Sequence, residues 1–151
     1  MHVRTATTAD ALAVETVRIR GWQAAYRGIV SDAFLDGLVI DAERRARMIT
    51  SGQATTLVAE DVGVLGMAVC GPARDGEDAM ELYALYVDPG CWRTGVGTAL
   101  VAACEGVTVL WVLEDNERAQ AFYRRQGFTA DGGRQELDLD GPVGEIRMRR
   151  G

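Results

Sequence analysis

Three stretches of this chain carry residues whose types and spacing suit chemistry. In the first, Asp88-Pro89-Gly90-Cys91-Trp92-Arg93-Thr94-Gly95-Val96-Gly97-Thr98 follows the apolar and aromatic run Leu82 to Val87. Gly95 and Gly97 lack Cβ, so the backbone can turn tightly there and bring several free N–H groups to an anion where a helix begins. Phosphate suits that geometry. In the second, Asn116 and Tyr123 stand seven residues apart, about two helical turns, and so share nearly one face. Taken alone Tyr123 reads as a core tyrosine, although a phenol of reference pKa near 10 can also act as a proton donor. In the third, Glu81 begins a strand and Tyr83 lies two residues on, on the same face. Glu81 is either a general base or a solvated strand-end acid.

Other readings of these residues compete. A Walker loop needs a lysine after its last glycine, and the chain has none. A Rossmann fingerprint needs glycine where Leu100 stands and a first glycine directly after the strand, although Glu114 and Asp115 do fall where a ribose-binding acid belongs. A glycine turn that binds nothing is the plain alternative. His2 is the only histidine, and Ser31 and Ser51 are the only serines, which leaves a Ser-His triad nothing to stand on. Cys91 precedes the glycine loop and reads as packing.

The elements that must position these groups follow from the pattern of the chain. Val3 to Ala6 suits a short strand, and Thr7 or Thr8 can cap a helix running through Ala11, Val14 and Val17 toward Trp22 and Tyr26, breaking at Gly28. Trp22 and Tyr26 share a face, as core packing or as the wall of a cleft. Ser31 and Asp41 can cap two short helices, the second covering a sheet edge or a substrate mouth. Asp61-Val62-Gly63 sets a hairpin between Thr55–Glu60 and Val64–Cys70, and an acidic loop leads from it to the central strand. A helix over 98–106 comes after the glycine loop. Val107 to Leu113 then suits a buried parallel strand, Asp115 can cap a helix over Glu117–Gln126, and Gly127 stops it. Two antiparallel strands around Asp140-Gly141-Pro142 close the chain. The sum is a mixed α/β sandwich in one domain, 1–151.

Two of the stretches carry a resemblance. Trp92-Arg93-Thr94-Gly95-Val96-Gly97 resembles the Q/R-x-x-G-x-G/A loop of the GNAT acetyltransferase superfamily. Asn116, Ala119, Phe122, Tyr123, Gly127 and Phe128 match its N-x-x-A-x-x-F-Y-x-x-x-G-F hallmark. The resemblance implies an α/β (α+β) fold built on a central mixed, mostly antiparallel sheet of six to seven strands, flanked by helices on both faces and split near the cofactor. It implies acetyl-CoA as cosubstrate, without a metal. Leu85, Tyr86, Val87, Arg93, Thr94, Gly95, Val96, Gly97, Thr98, Asn116 and Tyr123 would then line its site. Trp92 replaces the usual Gln or Arg, so a side-chain contact to the pyrophosphate is lost there and Arg93 next door supplies charge. Tyr123 becomes the general acid facing the thioester sulfur, and an N–H near Leu85–Val87 meets the developing oxyanion.

The same resemblance makes the reaction direct acetyl transfer to a primary amine of a small molecule or a protein N-terminus. Trp22, Tyr26, Glu81 and Tyr83 would border the acceptor. Trp111 stands where some relatives carry a glutamate, so Glu81, or a water chain, must take the ammonium proton. A non-catalytic acyl-CoA-binding regulatory module and a transferase for longer acyl groups remain as alternatives, and sheet-edge homodimers are common in the family. All sixteen basic residues are arginines, so an acetylated amine comes from another molecule or from Met1.

Composition narrows the classes further. A net charge of −6 lacks the basic surface that nucleic acid needs and favours cationic substrates. Cys70, Cys91 and Cys104 are odd in number and show no C-x-x-C spacing, which fits free thiols better than a metal cluster or a disulfide scaffold. No run of 18 apolar residues and no signal core appear, so the expected setting is cytoplasmic, without a membrane.

Overall fold

The computed structural model describes residues 1–151. Seven strands form one sheet: β1 (His2–Thr5), β2 (Thr55–Glu60), β3 (Val64–Pro72), β4 (Met80–Val87), β5 (Val107–Leu113), β6 (Thr129–Asp138) and β7 (Pro142–Arg149). Their spatial order is β1-β2-β3-β4-β5-β7-β6, and every pair is antiparallel except β4 with β5. The helices are α1 (Ala11–Ala25), α2 (Asp32–Asp36), α3 (Ala42–Thr50), α4 (Val96–Ala103) and α5 (Glu117–Arg125). No helix is long and apolar enough to cross a membrane.

Strand alternation divides the core into two layers, because successive side chains leave a strand on opposite faces. Leu57, Ala59, Ala68 and Cys70 pack with Val96, Leu100, Val101 and Cys104 of α4. Their strand neighbours Val58, Met67 and Val69 pack with Val14 and Val17 of α1 on the other side. Ala119, Phe122 and Tyr123 of α5 pack on the same layer as α4.

The parallel pair determines where a site can form. β5 pairs with β4 only at Met80, Glu81 and Leu82, and beyond Leu82 the two strands part. Against β3 the register slips at the same place: Val69 faces Ala84 while Cys70 faces Leu82, which leaves Tyr83 as an extra residue. A bulge bends its strand and strengthens the local twist, so β4 swings away from β5 from Tyr83 onward. The Asp88 N–H donates to Leu65 O on the β3 side. Amides alternate along a strand, so the Leu85 and Val87 N–H groups face the opened gap.

Several local expectations are met and some are corrected. Thr7 and Asp10 form a capping box, the Thr7 N–H donating to Asp10 Oδ2 at 2.8 Å. Ser31 Oγ accepts from the Phe34 N–H and Asp41 Oδ1 from the Arg44 N–H. The cap of α5 is Asn116, whose Oδ1 accepts from the Ala119 N–H at 3.2 Å, and not Asp115. A carboxamide fulfils the acceptor role as well as a carboxylate. α1 stops at Ala25, three residues before Gly28, and α4 starts at Val96, two residues before Thr98. α3 lies against α1, where the buried Arg45 donates to the buried Glu15 and Arg18 donates to the same carboxylate.

Candidate active site

The gap between β4 and β5 opens into two adjoining cavities. The larger, about 700 Å³, runs between β4, the glycine loop and α5. The smaller, about 530 Å³, lies between α1, β4, β5 and the β6–β7 hairpin. Ala25, Leu85, Tyr86, Arg118, Ala119 and Tyr123 line both, so the chambers meet beside the Tyr123 phenol.

The larger chamber combines free backbone donors with positive charge. Gly95 caps α4 with φ of +91°, a conformation that favours glycine. The first intrahelical bond is from the Ala99 N–H to Gly95 O, so the Val96, Gly97 and Thr98 amides have no partner within the helix. Gly97 serves packing as well: a Cβ there would stand 3.1 Å from Phe122 Cζ, and α5 could not lie so close. Arg93, itself at φ +64°, lines this chamber together with Arg118 and Arg125. Trp92 donates from Nε1 to Val87 O at 3.0 Å, which pins the loop to the end of β4. The Arg118 guanidinium lies 3.5 Å over the Trp92 ring. Burial, and then the positive charge of Arg93, press the Arg118 pKa below its ordinary value, and both strains are relieved by a bound anion.

Tyr123 sits at the junction with its ring edge-on to Phe122, at 5.3 Å between centroids, and to Phe128, at 6.1 Å. Burial pushes its hydroxyl above the usual phenol range, with Tyr86 adding to the effect. It is therefore a neutral phenol throughout the physiological range, a donor that is always loaded.

The smaller chamber has aromatic walls. Trp22 lies edge-on to Tyr26 at 5.0 Å and tilted to Tyr86 at 6.4 Å, and its Nε1 is buried without a partner. Glu81 is 2% exposed. Its Oε1 accepts from the Arg74 N–H at 2.9 Å, and its Oε2 accepts from Arg74 Nε and Nη2. Arg74 also stacks on the Tyr83 ring, 4.4 Å from its centroid, and the Tyr83 hydroxyl donates to Pro72 O.

Of the residues singled out from sequence, Leu85, Tyr86, Val87, Arg93, Gly95, Gly97, Thr98 and Tyr123 line the larger chamber, and Trp22, Tyr26, Glu81 and Tyr83 the smaller. Asn116 lines the smaller chamber and not the larger one, 7% exposed and held by its capping bond. Thr94 and Val96 line neither: Thr94 Oγ1 donates to Cys91 O, and the Val96 side chain lies in the core. Arg118 and Glu145 were not visible in advance. Trp92 at a position that resembles an arginine site was the one available hint of Arg118. Glu145 reaches the cavity only because β7 inserts beside β5, pairing Glu145 with Leu113.

With this geometry in view, the comparisons with known proteins are specific. The model of the acetyltransferase (GNAT) family matches residues 22–128. A probable N-acetyltransferase of Mycobacterium tuberculosis is 27% identical over 142 residues, covering 87% of this chain and 82% of its own. Among solved structures, the PaiA N-acetyltransferase of Thermoplasma acidophilum, in complex with coenzyme A, superposes with a TM-score of 0.78 at 20% identity over 98% of each chain. The ribosomal-protein-alanine N-acetyltransferase of Brucella melitensis gives 0.73 at 25% identity over 99% of each. The chain belongs to the GNAT acetyltransferase family.

Proposed function

We propose that the protein moves the acetyl group of acetyl-CoA directly to a primary amine, the cosubstrate entering the larger chamber and the acceptor the smaller. The observation that carries this reading is the meeting of the two chambers at Tyr123, between an anion-binding helix start and an aromatic cleft. The chamber passes a chemical test for CoA: free amides at Val96–Thr98, three arginines outside any ion pair with a carboxylate, and an apolar gap wide enough for an extended arm. Coenzyme A in the Thermoplasma protein supports the same placement. When bound, acetyl-CoA supplies an activated thioester.

The protein's own groups do the rest. The Val96, Gly97 and Thr98 amides and the Arg93 and Arg118 side chains hold pyrophosphate charge. The Leu85 and Val87 amides, aimed into the gap, donate to the carbonyl oxygen as negative charge builds on it. Tyr123 presents its proton where the thiol leaves. Glu81 borders the acceptor as a base only when Arg74 releases it, and the Arg74 side chain, 57% exposed, is free to swing out. The test is thiol release from acetyl-CoA with and without primary amines, together with calorimetry of CoA binding. Amine-dependent release with one thiol per acetylated amine is expected. Tight CoA binding with no release for any amine would overturn the catalytic reading.

A further inference from the structure

The smaller chamber holds three carboxylates, and they are not equivalent. Glu81 is held by Arg74, and Asp75 lies 3.7 Å from Arg147. Glu145 alone has no arginine. Its Oε1 accepts a single hydrogen bond, at 2.7 Å, from the neutral Gln135 Nε2 across the β6–β7 hairpin. It faces the chamber near Tyr26: burial raises the Tyr26 hydroxyl well above the phenol range, Tyr86 and Tyr123 add to that, and Glu145 pushes the same way. The one unpaired cation of this chamber, Arg118, lines both cavities, and its guanidinium is stacked on Trp92, in no ion pair with Glu145. Apart from Asn116, the remaining walls are apolar or aromatic, with Trp22, Trp111, Leu137 and Leu139 among them.

A half-buried carboxylate without a cation favours one from the ligand, since a charge partly removed from water gains from a partner. One such carboxylate amid aromatic and aliphatic walls matches a ligand with one ammonium and an apolar body. A polyamine or an aminoglycoside brings several ammonium groups, and the chamber offers no second free carboxylate to meet them. We propose that Glu145 is the carboxylate that receives the acceptor's ammonium, and that the acceptors are monoamines borne on an apolar or aromatic body. This rests on the acetyl-transfer reading above and narrows its acceptor. The same chemistry comes from a free arylalkylamine or from a peptide with an apolar first residue, and a volume of about 530 Å³ admits either head group.

Steady-state kinetics with phenethylamine, spermidine and an Ala-Phe-Ala tripeptide test this on the wild type, Glu145→Gln, Glu145→Asp and the exposed control Glu136→Gln. Expected is a kcat/KM for phenethylamine or the tripeptide at least about tenfold above that for spermidine, the better of the two identifying the source. Glu145→Gln should raise KM for that amine about tenfold, the weight of one charge-assisted hydrogen bond. CoA affinity and Tm stay at wild-type values, Glu145→Asp recovers most of the KM, and Glu136→Gln changes nothing. Amine-dependent thiol release with KM unchanged in Glu145→Gln, or with spermidine preferred, overturns this inference and leaves the acetyl-transfer reading standing. No release with any of the three amines overturns this inference, and the acetyl-transfer reading falls only when CoA binds and no primary amine gives release.

Discussion

Replacing Tyr123 with Phe removes one oxygen and keeps the ring between Phe122 and Phe128, at 5.3 and 6.1 Å. The packing layer shared with α4 should be preserved, so Tm is expected to stay within about 2 °C of the wild type. A positioned general acid is worth roughly 10²–10⁴ in rate, about 3–5 kcal/mol. Burial raises Tyr123 above the phenol range, whereas a thiol leaves with a pKa of about 8.5. Full proton transfer is therefore uphill by at least ~1.5 units, roughly 2 kcal/mol, which places the expected loss at the lower end, about 10²-fold in kcat. The assay is thiol release at saturating amine and acetyl-CoA, with CoA affinity measured by calorimetry. Because the phenol is the active form and its pKa is raised, kcat should show no alkaline limb from this group below about pH 10. A kcat within threefold of wild type, or a loss that appears wholly in CoA affinity, refutes the assignment.

Arg118→Ala removes the guanidinium from above Trp92; CoA should bind about tenfold more weakly and with a shallower salt dependence, as titration at low and high salt will show. Glu15→Ala strands Arg45, which is 8% exposed, and should cost about 3–5 kcal/mol, read as a Tm lower by roughly 10 °C. Asp10 is lowered from 3.8 to about 2, first by its hydrogen bonds from Arg4. A depressed carboxylate stabilises the fold fully above its unfolded pKa and loses that contribution as pH falls through the folded one, here between about pH 4 and 2 and worth roughly 2 kcal/mol. Urea unfolding across that window should show the slope in the wild type and a flatter profile in Asp10→Asn.

Much of this was legible in the chain because local rules and tertiary need agree. The alternation in Leu57-Val58-Ala59 on one arm of the hairpin and in Met67-Ala68-Val69 on the other serves both core layers at once. The caps at Thr7, Ser31 and Asp41 need only side chains within three residues. The Gly95 turn and the Asn116–Tyr123 spacing are equally local. What stayed hidden depends on residues far apart in sequence. The bulge at Tyr83 exists only against β3, Arg74 reaches Glu81 only when the loop before β4 folds back, and Glu145 shares a chamber with Tyr26 only through the insertion of β7. Asn116 shows a local rule at work in the site, since its Oδ1 caps α5 while its Nδ2 is not engaged in the cap.

The central claim is that the phenol of Tyr123 stands where the larger chamber delivers the sulfur of coenzyme A. A crystal structure of the protein grown with coenzyme A tests it most directly. The account predicts the pyrophosphate on the amides of 96–98 and the sulfur within hydrogen-bonding distance of the Tyr123 hydroxyl. A sulfur lying elsewhere, or a hydroxyl turned into the core, would contradict it.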